Sequence, residues 1–139
     1  NGGDDMNLIS SDAKRSVSLG GSDTWQTLCS TIRYHLSQSE KQLPHVFAFI
    51  QGGHCSYQDC LTTAREFNLV RDRLSQIDPG KIIYDDKNPE KQPPCGDRIS
   101  PVITSCANYL TSGDGDDLLA EIVKILSYAA YAKVSVDVK

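Results

Sequence analysis

The chain has 139 residues, of which 39% are apolar and 23% charged, and its formal net charge is −4. This length suits a single domain that buries a core without a metal or disulfide, and the composition excludes a disordered tail, a coiled coil and a fibrous protein. The excess of acidic residues argues against a dedicated nucleic-acid-binding domain, and the longest apolar run, 46–50, is far too short to span a bilayer.

We expect a single domain that covers 1–139. Its N-terminal third predicts a strand followed by a helix. Residues 1–5 have neither the basic nor the apolar region of a secretory signal, and one interpretation is that they are a cloning remnant before a native start at Met6. A strand is predicted near 14–19, where valine and leucine alternate before two glycines. Apolar residues at three- and four-residue spacing then predict a helix over 22–37.

The middle of the chain predicts a buried strand followed by a long helix. The run 46–50, with its two phenylalanines, is typical of a central strand buried on both faces. A second helix is predicted over 56–77, with Ser56 and Asp59 in the spacing of a capping box. Asp-Pro-Gly stops this helix, and a β-branched run predicts a strand over 81–84.

The C-terminal part predicts a loop, a strand, a helix and a last strand. The loop is 85–98, and a loop of this length in a compact domain is usually functional. We favour a strand within 99–111, a helix that begins at Asp116 or Asp117, and a terminal strand over 133–138, where valines alternate. The predicted order β-α-β-α-β-β-α-β indicates an α+β fold, a layered α/β sandwich with about five strands and three helices.

The five cysteines do not indicate a metal site or a disulfide framework. No C-x-x-C pair occurs, and His54, Cys55 and Cys60 supply at most three ligands at an unusual spacing. Cys29, Cys60 and Cys106 occupy apolar positions of the pattern, which predicts buried free thiols. Free thiols favour a reducing compartment, the cytoplasm. We therefore expect no metal and no cofactor.

The chain lacks the common catalytic signatures, and two classes of function stay open. The phosphate-binding glycine loops, the nucleophile elbow and the zinc-protease helix are all absent from the sequence. One alternative is a small cytoplasmic enzyme or ligand-binding domain that uses His54, Cys55 and the 85–98 loop. Neighbouring residues on a strand point to opposite faces, however, which argues against His54 and Cys55 as a base and a nucleophile.

Charge distribution favours the other alternative, a protein that binds a basic partner. Residues 78–121 contain nine acidic and four basic side chains, a net charge of −5. An acidic, loop-rich edge attracts a basic partner and speeds association. The acidic residues predicted to contact the partner are Asp85, Asp86, Glu90, Asp97, Asp114, Asp116 and Asp117.

Two stretches of the chain resemble the immunity proteins of bacterial polymorphic-toxin and contact-dependent growth inhibition systems. The first is 43–57 with the helix that follows it, and the second is 99–119 with the D-G turn, the last helix and the closing valine strand. The resemblance implies a cytoplasmic inhibitor without catalysis of its own, which blocks the active site or substrate groove of a cognate toxin domain, often a nuclease. It implies a protein partner, and neither nucleic acid nor a membrane.

Overall fold

The computed structural model describes residues 5–93 and 99–139. Two strands, β1 (Met6–Ser10) and β2 (Ser16–Gly20), precede helix α1 (Ser22–Leu36) and a 3-10 segment (Ser37–Gln42). Helix α2 (Pro44–Gly52), the short strand β3 (His54–Cys55) and helix α3 (Tyr57–Leu74) follow, then a 3-10 turn at Pro79–Lys81. Helix α4 (Leu118–Ala132) and strand β4 (Val136–Val138) end the chain. The α+β class is therefore confirmed.

The strands form one antiparallel sheet in the order β2-β1-β4-β3. Leu8 pairs with Val17, and Val136 pairs with both Ser10 and Cys55, so these buried side chains share one face of the sheet. The helices pack on this face. The opposite face presents more exposed side chains, among them Ile9, Asp137 and His54, which pair in one row across the sheet.

The core lies between this sheet face and the four helices. Phe49 of α2 is its centre: its ring makes edge contacts with Trp25 of α1, at a centroid distance of 5.9 Å, and with Phe67 of α3, at 6.2 Å. Such edge-to-face pairs are favoured by the charge distribution of aromatic rings. The cysteines predicted to be buried, Cys29, Cys60 and Cys106, are indeed in the core.

The largest error of the sequence analysis concerns 46–50, which is helical and not a strand. Helix α2 has Pro44 in its first turn and Gly53 in the left-handed conformation directly after it, at φ 70°. Both are standard helix-boundary residues. Val46, Phe49 and Ile50 are buried in the core, whereas Phe47 is half-buried and Ala48 is exposed. The apolar run therefore includes residues on the outer side of the helix, which hides its helical periodicity.

Two further predicted strands are absent from the described residues. Residues 81–84 leave a 3-10 turn and run along α1, where Ile83 exchanges hydrogen bonds with the Thr31 hydroxyl in place of a neighbouring strand. Within 99–111 the described chain forms irregular turns, with a single β-bridge from Thr111 to Asp117. The sheet gains instead β1 and the short β3, both of which the sequence analysis missed.

The remaining elements agree with the sequence analysis within a few residues. The strand predicted over 14–19 is β2, and that predicted over 133–138 contains β4. The helices predicted over 22–37 and 56–77 are α1 and α3, and the last helix is α4. The capping box is wrong: Ser56 is the N-cap of α3, but its hydroxyl donates to the Asp59 carboxylate, 3.2 Å away, and accepts no backbone N–H.

Candidate functional site: an acidic turn and a histidine-lined cavity

The predicted partner-binding acids fall into two separate groups. Asp85, Asp86 and Glu90 follow the segment that runs along α1, and Asp114, Asp116 and Asp117 form the turn before α4. Asp97 lies outside the described residues. Within the described chain, no hydrogen bond or ion pair joins one group to the other.

In the first group, Asp86 is held by the fold while Asp85 and Glu90 are less engaged. The Asp86 carboxylate accepts a hydrogen bond from Ser30 at 3.2 Å and lies 3.6 Å from the Arg33 guanidinium, both on α1. Among the described residues, the Asp85 carboxylate accepts the local backbone N–H of Lys87, at 3.0 Å. Glu90 is exposed. A carboxylate that is already paired has less to gain from a basic partner, and in this group that applies most to Asp86.

In the second group, one serine fixes the turn that carries the acids. Ser112 Oγ accepts the backbone N–H of both Asp114 and Asp116, each at 3.2 Å, and the Ser112 N–H donates to the Asp116 carbonyl at 2.7 Å. Gly113 N–H donates to the carbonyl of Ser18 in β2 at 2.6 Å. These bonds anchor the turn to the sheet and leave the Asp114 and Asp116 side chains exposed on a rigid support.

Gly113 makes this anchoring possible because it has no side chain. A Cβ atom at this position would lie 2.2 Å from Ser18 Oγ and 3.3 Å from the backbone nitrogen of Gly20. The turn therefore sits directly on the backbone of β2.

Asp117 stabilises the start of helix α4. Its carboxylate accepts the backbone N–H of Ala120 at 3.2 Å and so caps the N-terminus of α4, as the predicted helix start required. It also lies 4.0 Å from the Arg71 guanidinium of α3. Of the three acids in this turn, Asp114 and Asp116 are therefore the ones available to a partner.

A second feature is a small cavity where α2, β3 and α3 meet. It has a volume of about 130 Å³, and its polar lining comes from His45, His54, Cys55, Asp59 and Thr63. His54 and Cys55 are adjacent on β3, and as expected for a strand one is exposed and the other buried. No base-nucleophile pair between these two side chains is therefore formed.

His54 nevertheless has a carboxylate partner that the sequence analysis did not find. Its Nδ1 lies 2.6 Å from Asp137 Oδ1 on the neighbouring strand β4. The two residues are 83 positions apart, so no local spacing signals the pair. The pair lies in the exposed row of the sheet that Ile9 also joins, and His54 lines the cavity as well.

Glu66 of α3 is a buried carboxylate, and it was also missed. Its Oε1 accepts the backbone N–H groups of His45 and Val46, at 2.8 and 3.0 Å, and its Oε2 lies 2.6 Å from His45 Nδ1. Leu43, the N-cap residue of α2, provides no side-chain cap. Glu66 therefore caps α2 from a neighbouring helix and fixes one wall of the cavity.

Cys55, at the other wall, and its neighbour Cys60 have chemically unequal thiols. Cys55 Sγ lies 3.4 Å from Thr63 Oγ1, and Cys60 Sγ lies 3.7 Å from the Cys55 carbonyl oxygen. A hydrogen bond from the Cys60 thiol, with a smaller contribution from Thr63, lowers the pKa of Cys55 despite its burial. The same hydrogen bond and burial raise the pKa of Cys60.

The family of the chain is decided by a comparison with protein-family models. The model described as Immunity protein 70 matches residues 10–138. The chain belongs to the Immunity protein 70 family. The resemblance to immunity proteins of toxin systems, first noted in 43–57 and 99–119, is thereby confirmed. Comparison with curated proteins and with solved structures finds no match.

The described residues of this immunity protein contain neither a cluster of metal ligands nor a helix suited to a membrane. Among residues 5–93 and 99–139, no three His, Cys, Asp or Glu side chains converge as metal ligands would. None of the helices in these ranges combines the length and hydrophobicity that a bilayer crossing requires.

Proposed function

We propose that this protein binds a cognate secreted toxin domain and neutralises it, without catalysis of its own. The observation that carries the proposal is the match of the Immunity protein 70 family over residues 10–138. An immunity protein acts by binding, and blocking the active site or the substrate groove of the toxin is the simplest way for a small domain to inhibit it. The resemblance to contact-dependent growth inhibition and polymorphic-toxin systems supports a cytoplasmic site of action, where the toxin arrives.

The proposed partner is a basic toxin domain of the nuclease type. A nuclease must hold phosphates and therefore has a basic groove, and carboxylates can occupy that groove in place of the nucleic acid. The net charge of −4 and the exposed Asp114 and Asp116 on a rigid turn support this choice. Asp85 and Glu90 belong to the other acidic group and are further proposed contacts, as is Asp97, which lies outside the described residues. Asp86 and Asp117 add negative charge near a partner, although their carboxylates are engaged within the fold.

A second candidate is a small enzyme or ligand-binding domain, and the His54–Asp137 pair is the observation that favours it. A histidine oriented by a carboxylate is the arrangement of a general base. The His54 ring is exposed and also lines the cavity beside Cys55. In this alternative the cavity would bind a small molecule. The described part of the 85–98 loop, residues 85–93, does not line this cavity, and its Asp86 contacts Ser30 and Arg33 of α1.

Growth of bacteria that express the toxin encoded beside this protein separates the two candidates. Co-expression of the wild-type protein should restore growth with the cognate toxin and not with an unrelated one. Purified toxin and immunity protein should form a stable one-to-one complex in which the toxin is inactive. Cell death at the rate seen without the protein would refute neutralisation. Loss of protection in His54→Ala, with folding and binding intact, would favour the second candidate.

The contribution of the acidic turn is tested by variants that differ only in charge. Asp114→Asn/Asp116→Asn should weaken toxin binding and flatten its dependence on salt, because rim charges act mainly on the association rate. Glu121→Gln is the matched control, since it removes one carboxylate on α4 that already pairs with Lys124 at 3.1 Å. If the wild type, the Asp114→Asn/Asp116→Asn variant and the control bind the toxin with equal affinity and equal salt dependence, the turn is not part of the interface.

A further inference from the structure

Two cysteines bracket the start of α3. Ser56 is the N-cap residue of this helix, so Cys55 immediately precedes the cap and Cys60 is the fourth residue of the helix. Side chains at these two positions commonly pack on one another as a hydrophobic staple. Here both members of the staple are thiols, and they are 5% and 0% exposed.

Contacts join the two cysteines and Thr63 in one group. Cys60 Sγ lies 3.7 Å from the Cys55 carbonyl oxygen, to which its thiol donates. Thr63, one turn further along α3, places its hydroxyl 3.4 Å from Cys55 Sγ. Donors around a sulfur stabilise its thiolate form, which is the form that reacts with oxidants.

Of these two cysteines, only Cys55 borders a cavity. Cys55 lines the cavity of about 130 Å³ together with His45, His54 and Asp59, whereas Cys60 does not line it. A cavity of this volume admits a peroxide molecule, which is little larger than water. The cysteine that borders the cavity is thus the one with the lowered pKa, and Cys60, which packs against its carbonyl, is fully buried.

We propose that Cys55 and Cys60 form a redox modification site, in which a hydroperoxide oxidises Cys55 and Cys60 resolves the product to a disulfide. In the first step the Cys55 thiolate attacks a peroxide oxygen, the O–O bond breaks, and the departing hydroxide takes a proton to become water. Cys55 is then a sulfenic acid. In the second step Cys60 sulfur attacks Cys55 sulfur, the S–O bond breaks, and hydroxide leaves with the Cys60 proton as water. Two thiols lose two electrons and one hydrogen peroxide becomes two waters.

The other described cysteines lack these features. Burial raises the pKa of Cys29 to about 12 and that of Cys106 to about 11. Both are buried, and neither lies beside a second thiol in the described residues. They therefore serve as internal controls.

The digestion pattern of the chain provides a direct test. Trypsin releases 42–65 as one peptide that contains Cys55 and Cys60, while Cys29 and Cys106 fall in other peptides. The reduced full-length protein is treated with hydrogen peroxide, unfolded, alkylated and digested. We expect peptide 42–65 to lose two hydrogen atoms and carry no alkyl group, while the Cys29 and Cys106 peptides carry one each. Dithiothreitol before alkylation should restore two alkyl groups on 42–65.

The order of the two steps is tested with variants and rates. In Cys60→Ala, Cys55 should stop at the sulfenic acid and be trapped by dimedone; in Cys55→Ala, Cys60 should stay reduced. In the folded wild-type protein, iodoacetamide should modify Cys55 at least about tenfold faster than Cys106. Two alkyl groups on 42–65 after peroxide, or equal rates for Cys55 and Cys106, would overturn the proposal. The wild-type digest decides it alone if Cys60→Ala does not fold.

Discussion

Glu66 is a buried residue whose replacement should strongly lower the free energy of unfolding. Its carboxylate accepts two backbone N–H groups at the start of α2 and contacts His45 Nδ1, and its side chain is 9% exposed. In Glu66→Ala these donors lose their partner, and the N–H of Val46 belongs to a fully buried residue. We expect the free energy of unfolding to fall by about 3–5 kcal/mol.

This magnitude follows from the contacts. A hydrogen bond to a charged group contributes about 1.5–3 kcal/mol, and a carboxylate at a helix N-terminus adds about 0.3–1 kcal/mol. The full sum overstates the loss, because contacts that share one carboxylate are not additive and the carboxylate itself was costly to bury. Glu66→Gln keeps an acceptor oxygen and the volume but loses the charge, so its cost should be about 1–2 kcal/mol.

Urea unfolding followed by circular dichroism measures both losses. Glu121→Ala is the control, because it removes a glutamate whose one partner is the surface residue Lys124, and should change stability by less than about 1 kcal/mol. The reasoning about Glu66 is refuted if Glu66→Ala unfolds at the same urea concentration as Glu121→Ala. It is also refuted if Glu66→Gln is as unstable as Glu66→Ala, since the charge would then carry the whole effect.

Three other predictions concern the acidic turn, the thiols and the acid limit of stability. Asp117→Ala should lower the free energy of unfolding by about 1 kcal/mol, because the α4 cap is lost, and this should appear as a lower melting temperature. Asp114→Ala/Asp116→Ala should leave the melting temperature unchanged. The opposite pattern would contradict the roles assigned to these three acids. Cys55→Ala should fold and protect cells from the toxin as the wild type does, and stoichiometric zinc that Cys55→Ala no longer binds would instead revive a metal site. The pKa of Asp12 is lowered to about 2 by hydrogen bonds from Ser10 and Tyr128. Because the pKa in the folded state lies below that in the unfolded state, the stabilisation is complete above about pH 4 and is lost as the pH falls towards 2. The stability of Asp12→Asn should therefore depend less steeply on pH in that window, as acid unfolding would measure.

Helices with one polar face could be predicted from the sequence, and the short α2 could not. The spacing of apolar residues located α1, α3 and α4, since each has a solvent side. The run 46–50 has no polar side, and a short apolar run does not distinguish a buried strand from a buried helix. Pro44 and Gly53 were the available signals for a helix. The cap from Glu66 was not predictable, because it comes from 20 residues further along the chain.

The same limit applies to the candidate site. The acidic character of the 112–117 turn and the cap at Asp117 are local properties, and both could be predicted. Whether a carboxylate is free depends on distant partners: Arg33 lies near Asp86 and Arg71 near Asp117 only in the folded chain. The pairing of His54 with Asp137 likewise depends on the strand order of the sheet.

The contact between Gly113 and β2 has a consequence for how this chain behaves at high concentration. Strand β2 is an outer strand of the sheet, and outer strands invite pairing with other molecules and hence aggregation. The Gly113 N–H donates to the Ser18 carbonyl, which is therefore not free to pair with another strand. The other outer strand, β3, is only two residues long. The turn that carries the acidic side chains thus also shields the sheet, so one short segment supports both solubility and the proposed recognition of the toxin.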